Sequence, residues 1–302
     1  MAETLGEAFP IGIWNSTSSS TVPFSWAEAQ PGRTLADTTW RLEPFEAAVM
    51  SYIVNVRNDK HLPTTSDPLG FVPPIAAIYL SFDMLQSAFQ MPRTMVDVAH
   101  ELAWVRPLRN GATVRAHAEL VAAWQHRGRG YLRWQTTAAD GKGVVFSVGH
   151  IVSVREPIPP ENLSTDASHM IKHILTPHAP LHELHRREVQ CSLAWSRRGP
   201  YPPQPNLHTD EAAARAAGFD GPIMGGVRMA SQLLEAIVEF DESLFYGSTI
   251  SYRMRRPVPV DALVVASILR HSEQGEQFGL QLATAGDERT DCILGILTKV
   301  RP

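Results

Sequence analysis

Two short segments of this 302-residue chain set an imidazole near a carboxylate: Asn58-Asp59-Lys60-His61 and Asn206-Leu207-His208-Thr209-Asp210. Such pairs suit proton transfer near neutral pH, and a solvated loop is the plainer reading of each. Arg228 falls in the first turn of an apolar, helix-spaced run. A buried charge there is costly unless paired, so it binds a substrate carboxylate or phosphate, pairs with Asp210 or Glu235, or reaches solvent. His169, His173, His178, His182 and His185 fall in one proline-rich stretch. The His169-x3-His173 spacing would put two rings on one helical face, but a zinc site also needs a rigidly held third ligand, so a solvated linker is expected and no metal. No phosphate-cradling glycine loop, nucleophile elbow or nucleic-acid signature is present, and no cofactor is expected.

The formal charge of −4, from 31 acidic and 27 basic residues spread along the chain, gives no basic field for nucleic acid or a membrane surface. Cys191 and Cys292 form neither a CxxC nor a regular pattern, so both are read as packed thiols. Met1 to Gly12 has no basic region leading into an apolar stretch, and no apolar run nears the ~20 residues of a membrane span. The cytoplasm is the default expectation, which makes the sequons at Asn15 and Asn162 chance matches.

The length favours two core-forming units. Residues 1–34, rich in Ser, Thr, Pro and Gly, read as an arm over the surface; 157–187 read as a linker between units at 35–156 and 188–302. Motifs repeat in order across that linker. Gly70-Phe-Val-Pro-Pro-Ile75 returns as Gly218-Phe-Asp-Gly-Pro-Ile223, Arg106-Pro-Leu108 as Arg256-Pro-Val258, and the closing strand ending at Val154 as one ending at Val300. The nearly constant displacement argues duplication.

Each copy has one amphipathic helix, carried by Ile75, Ile78, Tyr79, Phe82, Leu85 and Phe89, and by Ile223, Val227, Ala230, Leu234 and Ile237. Period-two strands follow, with Val96, Val98, Leu102 and Trp104, then Val114, Ala116, Ala118, Leu120, Ala122 and Trp124, on the buried face. Tyr52, Trp104, Trp124 and Trp195 read as core or interface aromatics. Turn signals at Gly128-Arg-Gly130, Asp140-Gly141, Gln274-Gly275 and Gly286-Asp287 favour antiparallel neighbours. The fold class is α+β: two units, each a sheet wrapped around a long helix, paired edge to edge.

From Pro203 to Met229 the sequence resembles the signature segment of the MaoC-like, (R)-specific enoyl-CoA hydratase family. That family carries Asp-x-Asn-Pro-aliphatic-His-x-Asp, then Gly-Phe-x-x-Pro-Ile-x-His-Gly-Met, and Arg256-Pro-Val258 resembles its strand-opening motif. The resemblance implies a tandem (double) hotdog fold and a hydratase or dehydratase acting on an acyl thioester of CoA or a carrier, with room for a homodimer. His208 matches the catalytic histidine, Leu207 the aliphatic before it and Asp210 the acid after it. Gly226 matches the glycine whose N–H opens the central helix. The departures fall on working residues: Pro203 replaces the catalytic aspartate, Pro205 and Asn206 are reversed, and Gly225 replaces a histidine.

Hydration of an enoyl thioester needs a base for water, an acid for Cα, and donors for the enolate-like oxygen. On this resemblance His208 is the acid/base, assisted by Asp210, Asp59 or His61, while Gly225, Gly226, Arg228 and Asn58 serve the oxyanion or substrate. Proline cannot titrate, so a substitute acid must come from Asp210 or the first half. A binding protein that holds an acyl or small polar ligand, or a hotdog isomerase or thioesterase, is the competing expectation.

Overall fold

The computed structural model describes residues 22–300 except 57–59, 63, 65, 68, 93–94, 155–157, 160–180, 199–205, 272–276 and 287–288. Asn58, Asp59, Pro203 and the Gln274-Gly275 turn lie outside the described residues, as do both sequons and most of the expected linker. The first half runs β1 (Thr34–Arg41), α1 (Pro44–Val54), α2 (Ile75–Ala88), β2 (Val96–Trp104), β3 (Thr113–His126), β4 (Arg129–Asp140) and β5 (Gly143–Val154). The second runs β6 (Leu181–Gln190), α3 (Leu193–Ser196), α4 (Glu211–Ala216), α5 (Gly226–Phe245), β7 (Ser248–Met254), β8 (Leu263–His271), β9 (Gln277–Thr284) and β10 (Asp291–Lys299). Strand β6 therefore begins inside the segment read as linker, and residues 181–187 are sheet.

All strands join one antiparallel sheet in the order β1-β3-β4-β5-β2-β7-β10-β9-β8-β6, which reads as one five-strand order followed by its mirror. The halves meet where β2 pairs with β7, from Ala99 opposite Arg253 to Ala103 opposite Thr249. Local detail repeats too. Val72 N–H donates to the Leu108 carbonyl and Met224 N–H to the Val258 carbonyl, each at 2.8 Å. The turn after each Arg-Pro motif needs a left-handed residue, supplied by Gly111 (φ 81°) and then by Asp261 (φ 73°).

Helix α2 packs on β1 and β5, α5 on β6 and β8, and the two helices touch. Ile75, Ile78 and Leu85 on α2, and Ala230, Leu234 and Ile237 on α5, are buried as their spacing predicts. Each fully buried Ile or Leu among them contributes roughly 1.5–3 kcal/mol. Helix α5 is interrupted at Asp241, whose backbone is extended and whose carboxylate accepts from the Ser243 N–H at 2.9 Å.

Three sequence expectations need correction or addition. Alternation puts Val96 and Val98 inward, yet Val96 is 43 % exposed. A bulge between Asp97 and Ala99 shifts the phase of β2 and takes Val96 off the face that His100 shares with Leu102 and Trp104, all three of which are buried. Tyr52, expected in a core or interface, is 61 % exposed because Ala47, Met50, Ile53 and Val54 form the inner face of α1. Helix α1 itself was not anticipated, although Pro44 at its first turn and a reciprocal Glu43/Glu46 capping box announce it. Within the segment read as an arm, Trp26 is buried and packs edge-on against Phe24, which meets Phe89 of the first unit.

A Cβ at Gly295 on β10 would come within 2.5 Å of the Ser251 carbonyl oxygen and 2.7 Å of Tyr252 Cβ, next to the seam. Gly295→Val should therefore destabilise the protein by about 1–3 kcal/mol through overpacking. Gly221→Ala, which meets open space, should stay within about 0.5 kcal/mol. Thermal or urea unfolding of the two variants tests this, and equal stabilities would refute it.

Candidate functional site

His208 sits in a loop organised by Asn206. The Asn206 side-chain oxygen accepts from the His208 N–H at 2.9 Å, its carbonyl accepts from the Thr209 and Asp210 N–H groups, and Ser196 Oγ donates to the His208 carbonyl at 2.6 Å. The ring is fixed as well. His208 Nδ1 lies 2.9 Å from the Ile223 carbonyl oxygen, so Nδ1 carries the proton and the lone pair is on Nε2. Burial lowers the affinity of this ring for a second proton, the Ile223 carbonyl acts the other way, and the Arg228 charge lowers it further. His208 is thereby held as a neutral, oriented imidazole.

The chain reaches the start of α5 three residues after Ile223. Gly225 is extended (φ −62°, ψ 134°) and no side chain caps the helix. The first-turn N–H groups therefore point out of α5 without a capping side chain, as an oxyanion site requires. A Cβ on Gly226 would meet Asp97 Oδ2 and Met254 Cε at 3.5 Å, an ordinary contact, so packing does not demand glycine there. Asp97 belongs to β2, so the first half places a carboxylate beside the second half's helix start.

Arg228 does not reach solvent: it is 3 % exposed and donates to the carbonyls of Trp195 and Arg198. These bonds tie α3 to α5, and α3 in turn braces the His208 loop through Ser196. A structural role thus accounts for its burial. Asp210 caps α4, its Oδ1 accepting from the Ala213 N–H at 2.8 Å, so this carboxylate holds the backbone directly after His208. An open cleft of about 920 Å³ runs beside this loop, with Thr209, Asp210, Ile223, Arg197, Pro257 and Asp261 among its walls.

His61 goes elsewhere. It is 1 % exposed and its Nε2 lies 3.4 Å from Glu235 Oε1, itself 1 % exposed, on α5 of the other half. Nine residues separate Glu235 from Gly226, or roughly 13 Å of helix. His61 therefore meets the other copy, but well along α5 from its start.

A polar chain at the seam escaped sequence reasoning altogether. His100 Nε2 lies 2.9 Å from Asp97 Oδ1 and its Nδ1 2.6 Å from the Tyr252 hydroxyl across the β2/β7 pairing. His150 on β5 stands opposite His100 in register, with ring centroids 4.0 Å apart. Burial, and secondarily the His100 charge, push the His150 pKa well down. The signal available in the sequence was His100 in phase with Leu102 and Trp104 on β2, and His150 within the apolar run of β5. Among the described residues, Asp97, His100 and His150 are the group arranged to hold a metal ion.

No family model matches the sequence, and no curated protein matches it. Solved structures do. A MaoC-like dehydratase from Phytophthora capsici superposes with a TM-score of 0.68 at 14 % identity, covering 92 % of this chain and 98 % of its own. HtdX from Mycobacterium tuberculosis gives 0.63 at 16 % identity, covering 87 % and 99 %. A conserved Mycobacterium tuberculosis protein described as having a double hotdog fold gives 0.58 at 14 % identity, covering 91 % and 98 %. With the mirrored strand order and the two long helices, these likenesses identify the chain as a double hotdog, the architecture of MaoC-like dehydratases.

Proposed function

We propose that this chain is a hydratase or dehydratase acting on an acyl thioester, carried by CoA or a carrier protein, with His208 as its acid/base. The supporting observation is the 2.9 Å bond from His208 Nδ1 to the Ile223 carbonyl, just before the uncapped start of α5. It gives a neutral imidazole with a defined lone pair, anchored to Ile223 just before the backbone donors suited to an anionic oxygen.

In the hydration direction Nε2 takes a proton from water and the hydroxide adds to Cβ of the enoyl thioester. The electrons pass to the thioester oxygen, which rests on the first-turn N–H groups at Gly226. The imidazolium then returns its proton to Cα, and dehydration is the reverse. One imidazole acting twice replaces the missing aspartate at Pro203. Asp210, bound to α4, serves as a positioning residue, and Arg228 holds the loop and adds to the burial that keeps His208 neutral. The fold likeness to MaoC-like dehydratases supports the substrate class.

A second reading is favoured by one observation: the acid that follows His208 spends its carboxylate on a helix cap. On that reading the protein holds an acyl or small polar ligand without converting it. Incubation with crotonyl-CoA and longer enoyl-CoAs separates the readings, with loss of enoyl absorbance reporting hydration and free thiol reporting hydrolysis. Enoyl loss without thiol is the expected result, and His208→Ala should lower kcat/KM about 10²- to 10⁴-fold. Full activity in that variant would remove His208 from the chemistry.

The pH profile gives an independent check. The neutral form of His208 is the active base, and burial holds its pKa below the ordinary 6.5. The acid limb of kcat/KM for hydration should therefore lie below pH 6.5, with activity falling only as pH drops through that lower value. A limb at or above 6.5 would contradict the assignment.

A further inference from the structure

We infer that Asp97, His100 and His150 form a binding site for a divalent first-row metal ion of the zinc class, at the seam between the two halves. The inference does not depend on the acyl-thioester reading. One potential ligand atom from each residue lies within 4.8 Å of those of the other two.

The surroundings of the two rings are those of metal ligands. His150 is fully buried, and its Nδ1 is 3.0 Å from Ser81 Oγ. That hydroxyl is itself held by the Trp134 indole N–H at 2.9 Å and lies 2.8 Å from Thr136 Oγ1. The other ring nitrogen, His150 Nε2, is buried without a hydrogen-bond partner. His100 is also fully buried: its Nε2–H donates to Asp97 Oδ1, and when a cation takes the place of that proton the Tyr252 hydroxyl at Nδ1 can accept the proton of the other tautomer. Outer partners on the far nitrogen of each ring are what orient histidines toward a metal.

Asp97 completes the set. Its Oδ1 faces His100, while Oδ2 is buried with no partner. Asp97 Oδ2 and His150 Nε2 are thus buried without partners next to the His100–Asp97 hydrogen bond, and a cation that displaces the His100 Nε2 proton would satisfy all three groups at once. Two nitrogens and one oxygen suit Zn²⁺ or a neighbouring ion, with one coordination position left over. Bonds of about 2.1 Å place tetrahedral ligand atoms about 3.4 Å apart, so the 2.9 Å edge from His100 Nε2 to Asp97 Oδ1 would open slightly while longer edges, none above 4.8 Å, draw in. Asp97, with a side chain 12 % exposed, is the member able to move and the side from which an ion would arrive. A bound cation would also neutralise the carboxylate beside Gly226, where an anionic oxygen would otherwise be opposed.

The test uses the full chain, freed of metal by EDTA dialysis and titrated with Co²⁺ while its d–d absorption is followed. One saturable equivalent, displaced by Zn²⁺, is expected. Asp97→Asn, which keeps the side-chain shape, and His150→Gln should each weaken binding at least about 10-fold while circular dichroism stays native. Absence of saturable binding overturns the inference, as does undiminished affinity in Asp97→Asn. So does binding that survives these changes but disappears when His169 and His173 are replaced by alanine.

Discussion

The pairing of β2 with β7 is the constraint from which the rest follows. A single five-stranded half would leave that edge, and the flank of its central helix, facing water. Joined at the seam, the two halves form one continuous sheet and bring α2 against α5. The same junction sets Asp97 of the first half beside the α5 start of the second, and Tyr252 of the second against His100 of the first. Polar groups at the centre of the molecule are thus supplied from both sides, and neither half alone contains the arrangement.

The two copies have diverged where chemistry would occur and stayed alike where the backbone must turn. The Arg-Pro turns retain their left-handed position although glycine in one copy became aspartate in the other. The helix starts differ: α5 opens from an extended Gly225, whereas α2 follows Pro74, which is already helical. Neither helix start has a capping side chain. His61, named with Asp59 as a residue that could assist His208, lies against Glu235 on the opposite helix.

Much of the fold was legible because its evidence is periodic. Ile75, Ile78 and Leu85 at helical spacing, and Val114 through Leu120 at alternate positions, depend only on which face is buried. The phase of β2 was not legible, since one extra residue at the Asp97/Ala99 bulge reverses the face without altering composition. Helix α1 was hidden by its short length and an outer face that carries Phe45 and Tyr52, although its cap is explicit. For the site, motif likeness led to His208, and Asp210 was found with a cap to hold. Asp97, His100, His150 and Tyr252 could not be associated from sequence, because they lie on three strands that come together only through the sheet order.

Joining the halves in one polypeptide has a thermodynamic consequence. In an assembly of two separate hotdog chains, a seam like β2/β7 would open on dilution, because each partner must be found again from solution. Here both edges belong to one molecule, so the effective concentration of each for the other is set by the connecting chain. Whatever is built across that junction persists at any protein concentration. Strand β6, at one outer margin of the sheet, carries Glu183, Arg186, Arg187 and Glu188, charges that oppose further edge-to-edge addition.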